Sequence, residues 1–126
     1  MILLVDIGNS ATKWAHAASP RRVRLVATTA TTAAPAQLRR TLAGVALDAI
    51  RAIVVGSVVP DATAALRRVA RVVCPHAVLL VPRYRDFARV MPCRVRPVLE
   101  PGADRLAGAL ALRNLRPLPA CAVHVG

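Results

Sequence analysis

LLVDIGNSATKW occupies residues 3–14, and its reading decides the fold. An apolar run of the kind that makes a buried strand, over 1–5, is ended by an acid, a glycine and small hydroxyl residues, which is turn chemistry. The pattern from Thr12 onward predicts a second strand over 12–17, and a third follows over 23–28, with ASPRR as the tight link between them. Three consecutive strands joined by short turns form a meander.

Beyond the meander the spacing becomes helical. Leu38, Leu42, Val45 and Ala46 fall on one face of a predicted helix over 35–47, with Pro35 at its start. RAIVVGSVVP then predicts a strand over 52–55, with GS as its exit. A helix over 61–73 begins at Pro60 or Asp61 and turns Leu66, Val69, Ala70 and Val73 inward; AVLLV at 77–81 is the next strand. Four prolines and no firm periodicity make 82–101 a long loop or irregular excursion. A helix over 104–115 follows, and CAVHVG begins one more strand. The order β-β-β-α-β-α-β-loop-α-β predicts an α/β fold with a mixed sheet and helices on its faces, rather than a doubly wound parallel sheet.

Composition bounds what this fold can be used for. The 126 residues suit one domain, and 56% are hydrophobic, but one Trp, one Tyr and one Phe leave the core to Ala, Val and Leu. Seventeen arginines and one lysine against six acids give a net charge of +12. They stand singly or in pairs without interleaved aromatics, a pattern that argues against a nucleic-acid surface. Cys74, Cys93 and Cys121 are odd in number and far apart, which supports neither a disulfide framework nor a zinc site and suits a reducing cytoplasm. Asp6 interrupts the first apolar stretch, no positive charge precedes it, and no apolar run approaches ~18 residues. Neither a signal peptide nor a membrane span is expected.

An acid in so basic a chain needs a reason at position 6. Asp6 stands at the carboxyl end of the first strand, where α/β sheets open their ligand crevice. Gly8 permits close backbone approach, and Asn9, Ser10 and Thr12 offer hydrogen bonds. Successive N–H groups at such a turn can hold an anion, and Lys13, the one lysine, follows within reach of a phosphate. A divalent cation between acid and phosphate resolves their repulsion, because Mg2+ is held by one or two carboxylates plus phosphate oxygens. The alternative is an ordinary turn in which Asp and Asn cap their own backbone.

PGADRLAGA, at 101–109, is the second constellation. Asp104 at a helix start can serve as N-cap, as general base or as both. Arg105 beside it can contact a carboxylate or phosphate. His16, His76 and His124 stand far apart and form no dyad with a cysteine.

VDIGNSATKW, GSVVP at 56–60 and PGADR at 101–105 resemble, in order and spacing, the type III pantothenate kinases of the acetate kinase, sugar kinase and actin superfamily. The resemblance implies a ribonuclease H-like fold for 1–126, as the first domain of a protein whose family has a second one beyond this chain. It also implies ATP-dependent phosphorylation of pantothenate, the first step of coenzyme A synthesis, by a cytoplasmic homodimer using Mg2+ and a monovalent cation, K+ or NH4+. Carried over by position, Asp6, Gly8, Asn9, Ser10 and Lys13 lie at the ATP phosphates, with Asp6 on the metal. Asp104 becomes the base that takes the proton of the pantothenate hydroxyl, and Gly102, Ala103 and Arg105 shape the pantothenate site. Val95 and His124 stand where the family has Tyr and Asp. A non-catalytic relative, acting as a transcriptional regulator or oligomerisation module, is the competing expectation.

Overall fold

The computed structural model describes residues 1–19, 21–33, 40, 46–94, 101–117, 119–121 and 123. They fall into two compact units, Met1–Val81 and Pro82–Gly126.

The first unit is a five-stranded mixed sheet. Its strands are β1 (Ile2–Ile7), β2 (Ala11–Ser19), β3 (Arg22–Ala30), β4 (Ala52–Ser57) and β5 (Val78–Leu80), in the spatial order β3-β2-β1-β4-β5. β1, β2 and β3 pair antiparallel, as the meander predicts, whereas β4 runs parallel to β1 and β5 parallel to β4. Helix α1 (Pro60–Val73) makes the crossover between β4 and β5. This is the mixed α/β sheet expected from the order of elements, and it is consistent with the ribonuclease H-like fold that the resemblance implies.

The pleat explains how β1 accommodates its acid. Leu3, Val5 and Ile7 are at most 2% exposed, whereas Ile2 and Asp6 point to the opposite, open face. Asp6 therefore lies within the strand and not in the turn after it, and it is exposed rather than buried. Cross-strand partners share a face. Trp14 and Thr12 of β2, and Ile53 and Val55 of β4, accordingly join Leu3, Val5 and Ile7 on the inner side. Against this side α1 sets Leu66, Ala70 and, just past its end, Cys74, with Val69 and Val73 partly buried. Trp14 is wholly buried at the centre and is the one large ring in a core otherwise built of aliphatic side chains.

The second unit has a core of Phe87, Met91 and Leu106, flanked by Tyr84, Cys93, Ala103 and Leu110. Its helices are α2 (Tyr84–Ala88) and α3 (Ala103–Leu115). The segment expected to be an irregular excursion thus contains a short helix, too brief to imprint a period on the sequence. The Asp86 carboxylate accepts from the Arg83 N–H at 2.9 Å and fixes the start of α2, while Phe87 is buried. The Tyr84 hydroxyl donates to the Cys93 carbonyl at 3.2 Å, and Arg113 of α3 donates to the Val90 carbonyl at 2.7 Å.

Of the helix expected over 35–47, Arg40 is helical, Ala46 is not and Leu47 begins a 3-10 turn through Ala49; the rest lies outside the described residues. The strand expected from Cys121 also lies largely outside them, as do Val95 and His124; Cys121 and Val123 themselves belong to no strand.

Candidate functional site

Parallel pairing brings the carboxyl ends of β1 and β4 together, with Asp6 beside Gly56 and Ile7 beside Ser57. Helix α1 starts three residues later, so two strand ends and a helix N-terminus share one edge of the sheet, where α/β folds of this kind hold ligands. A Cβ added at Gly56 would meet nothing within 4 Å, so the carboxylate of Asp6 borders open space. On its other side Asp6 pairs with Lys13 of β2; both side chains are exposed, and neither is in an ion pair among the described residues.

Asn9 and Ser10 form the exposed tip between β1 and β2. The Gly8 N–H donates to the Ala11 carbonyl at 3.0 Å, closing the hairpin. A Cβ at Gly8 would come within 3.2 Å of that same carbonyl oxygen, so a larger residue would require the carbonyl to give by a few tenths of an ångström. The turn is also held from below. The Thr31 hydroxyl donates to the Gly8 carbonyl at 2.7 Å, and the Thr31 N–H donates to the Ser10 carbonyl at 3.2 Å. The Thr12 and Thr31 hydroxyls lie 3.3 Å apart, and Trp14 Nε1 donates to the Thr29 hydroxyl at 3.0 Å.

Thr12 is therefore not a ligand-facing group: it is fully buried, and its hydroxyl is spent on Thr31. Thr29 and Thr31 escaped the sequence reading, which ended the third strand at Thr28. The run TTATT at 28–32 was the available signal, since hydroxyl residues clustered at a strand end can serve neighbouring backbone. A second cluster closes β4. There the Ser57 hydroxyl accepts from the Val59 N–H at 3.0 Å, and the Thr63 hydroxyl reaches Ser57 Oγ at 2.6 Å.

In the second unit Gly102, not Asp104, is the N-cap of α3. Its carbonyl accepts from the N–H groups of Arg105 at 3.1 Å and Leu106 at 3.2 Å. Asp104 and Arg105 are exposed in the first turn, and no side chain caps the helix. Ala103 packs against the Phe87 cluster and sets where the helix begins. The structure thus groups Asp6, Gly8, Asn9, Ser10 and Lys13 in one unit, and Gly102, Ala103, Asp104 and Arg105 in the other.

Among the described residues no cluster of three or more His, Cys, Asp or Glu side chains could cage a metal. One exposed carboxylate beside open space and an anion-type turn nevertheless suits Mg2+, which takes few protein ligands and completes its shell with phosphate oxygens and water. No helix among the described residues is long and apolar enough to cross a membrane.

The sheet is ribonuclease H-like, and an acid, a glycine turn and a lysine stand together at the end of its first hairpin. The chain belongs to the type III pantothenate kinase family, matching it over residues 2–126. No curated protein matches it.

Proposed function

We propose that the chain serves in ATP-dependent phosphorylation of pantothenate to phosphopantothenate, as the first ribonuclease H-like domain of a cytoplasmic, homodimeric kinase. Family membership supports the reaction class. The observation that carries the site assignment is the unpaired opposition of Asp6 and Lys13 beside a turn that presents Asn9 and Ser10 outward.

The N–H groups and side chains of Asn9 and Ser10 bind ATP phosphate oxygens, and Gly8 lets the backbone approach them. Lys13 offsets their charge, and Asp6 holds Mg2+. When bound, Mg2+ neutralises the charge that develops on the transferred phosphoryl group. A monovalent cation, K+ or NH4+, would be a further cofactor of the reaction. Asp104 accepts the proton of the pantothenate hydroxyl, for which an exposed carboxylate free of capping duty is suited. Gly102 and Ala103 place Asp104 at the first turn of α3, and Arg105 pairs with the pantothenate carboxylate.

A coupled assay of ADP release, run with and without pantothenate on this chain and on any longer product of its gene, tests the reading. Pantothenate-dependent release is expected. Its absence from both preparations would remove the kinase reading and leave the regulator.

A further inference from the structure

We propose that Thr31 is the positioning residue of the phosphate turn, holding the Gly8 and Ser10 carbonyls inward so that they do not face the ligand. The inference rests on the reading of residues 8–10 as a phosphate site.

Anions are held by N–H groups and repelled by carbonyl oxygens, so a phosphate turn works only if its peptide planes keep one orientation. Two of those planes are fixed by one residue. Thr31 Oγ1 donates its single proton to the Gly8 carbonyl at 2.7 Å, and the Thr31 N–H takes the Ser10 carbonyl at 3.2 Å. With its proton committed, Thr31 Oγ1 can only accept from the Thr12 hydroxyl 3.3 Å away. Thr12 and Thr31 are 0% and 7% exposed, so water does not compete for these bonds. The Gly8 N–H is spent on Ala11, whereas the N–H groups of Asn9 and Ser10 have no partner among the described residues. The peptide plane that turns the Gly8 carbonyl inward turns the Asn9 N–H outward, so this donor is left to the ligand while the Gly8 and Ser10 carbonyls are drawn in. Thr31 touches no reacting group itself; it reaches the turn from the end of β3, 21 positions beyond Ser10 in sequence.

Removing the hydroxyl while keeping the shape, in Thr31→Val, strands the Gly8 carbonyl without its donor and frees its plane to rotate outward. The test is amide-resolved NMR of the full chain, with hydrogen exchange and MgATP titration, on wild type, Thr31→Val and Thr31→Ser. In wild type the Gly8 and Thr31 N–H groups should exchange slowly and those of Asn9 and Ser10 fast. MgATP should shift Asn9 and Ser10 most. Thr31→Val should speed Gly8 exchange and weaken MgATP about tenfold, with KM for ATP rising more than kcat falls wherever turnover is measurable; Thr31→Ser should restore both. Equal binding and equal Gly8 exchange in Val and wild type would overturn the proposal, as would loss in Val that Ser fails to rescue. If Val does not fold, the wild-type pattern still decides, because unprotected Gly8 and Thr31 amides refute the clamp. If wild type shows the protection pattern yet MgATP shifts nothing at Asn9 or Ser10, the phosphate reading fails while the clamp stands as turn architecture.

Discussion

Asp6 of β1 and Lys13 of β2 stand opposite each other across the antiparallel ladder, both exposed and without an ion pair between them. Opposite charges so placed commonly close on each other for about 0.2–1 kcal/mol. Here both stay available at the rim of the open space beside Gly56.

Asp6→Asn keeps the size and removes the charge. MgATP affinity should fall roughly tenfold, with little change at low Mg2+, because the carboxylate acts through the cation. Stability should move by no more than about 0.5 kcal/mol, as for other exposed positions. Isothermal titration at two Mg2+ concentrations reads the first effect and thermal melting the second. Unchanged affinity would remove Asp6 from the metal site and leave it an exposed strand residue.

Asp104 separates chemistry from structure more cleanly than its sequence position suggested. Because Gly102 caps α3, neither Asp104→Asn nor Asp104→Ala should incur the ~1 kcal/mol typical of a lost cap. Only a weak helix-dipole attraction is removed. Both variants should melt close to wild type, while pantothenate-dependent turnover of an active form falls by roughly 10² or more. A variant that keeps wild-type turnover would end the base assignment.

What the sequence made legible follows from where the information sits. The periods of β1 and α1 are written in consecutive side chains such as Leu3, Val5, Leu66 and Ala70, and the order of elements then constrains the sheet. The exposure of Asp6 was not legible, because an apolar run reads the same whether one face or both are covered, and only pairing with Lys13 and Gly56 shows which. Thr31 was missed for a related reason. The hydroxyl run at 28–32 signals bonds to some backbone, but the partners, Gly8 and Ser10, lie far away in sequence, so the run does not name them. The cap of α3 turned on two residues of register, within the ordinary uncertainty of helix ends.

Cys74 gives a pH-dependent prediction. Burial pushes its thiol above the ordinary value, and the nearby Asp48 carboxylate raises it further. The folded state therefore favours the neutral thiol. Its contribution to stability is fully present below the ordinary thiol pKa of ~8.5, and is lost as pH rises through the folded value. Urea unfolding between about pH 8 and 10 should show falling stability, and Cys74→Ala should flatten that fall. In labelling at neutral pH, exposed Cys121 should react first, half-buried Cys93 next, and Cys74 only on unfolding. Early labelling of Cys74 would refute its place in the core.

The arginine surplus supplies the last prediction. Arg67, Arg68 and Arg71 of α1 and Arg22 and Arg24 of β3 are exposed, and among the described residues no arginine pairs with a carboxylate. Their charge is therefore available to polyanions. Base recognition in single strands needs accessible rings for stacking, but Trp14 is fully buried, Phe87 is 8% exposed, and half-buried Tyr84 lies in the other unit, packed on the Phe87 cluster with its hydroxyl donated to the Cys93 carbonyl. The contact left to such a surface is with phosphates, which carry no sequence information. Each neutralised phosphate adds ~0.9 to the slope of log affinity against log salt on duplex DNA. Fluorescence anisotropy should thus show binding at low salt that falls steeply with added salt and is equal for unrelated sequences. A sequence-specific complex of nanomolar affinity at physiological salt would instead make this chain a regulator, and would place its arginine surface ahead of the Asp6 turn as the site of function.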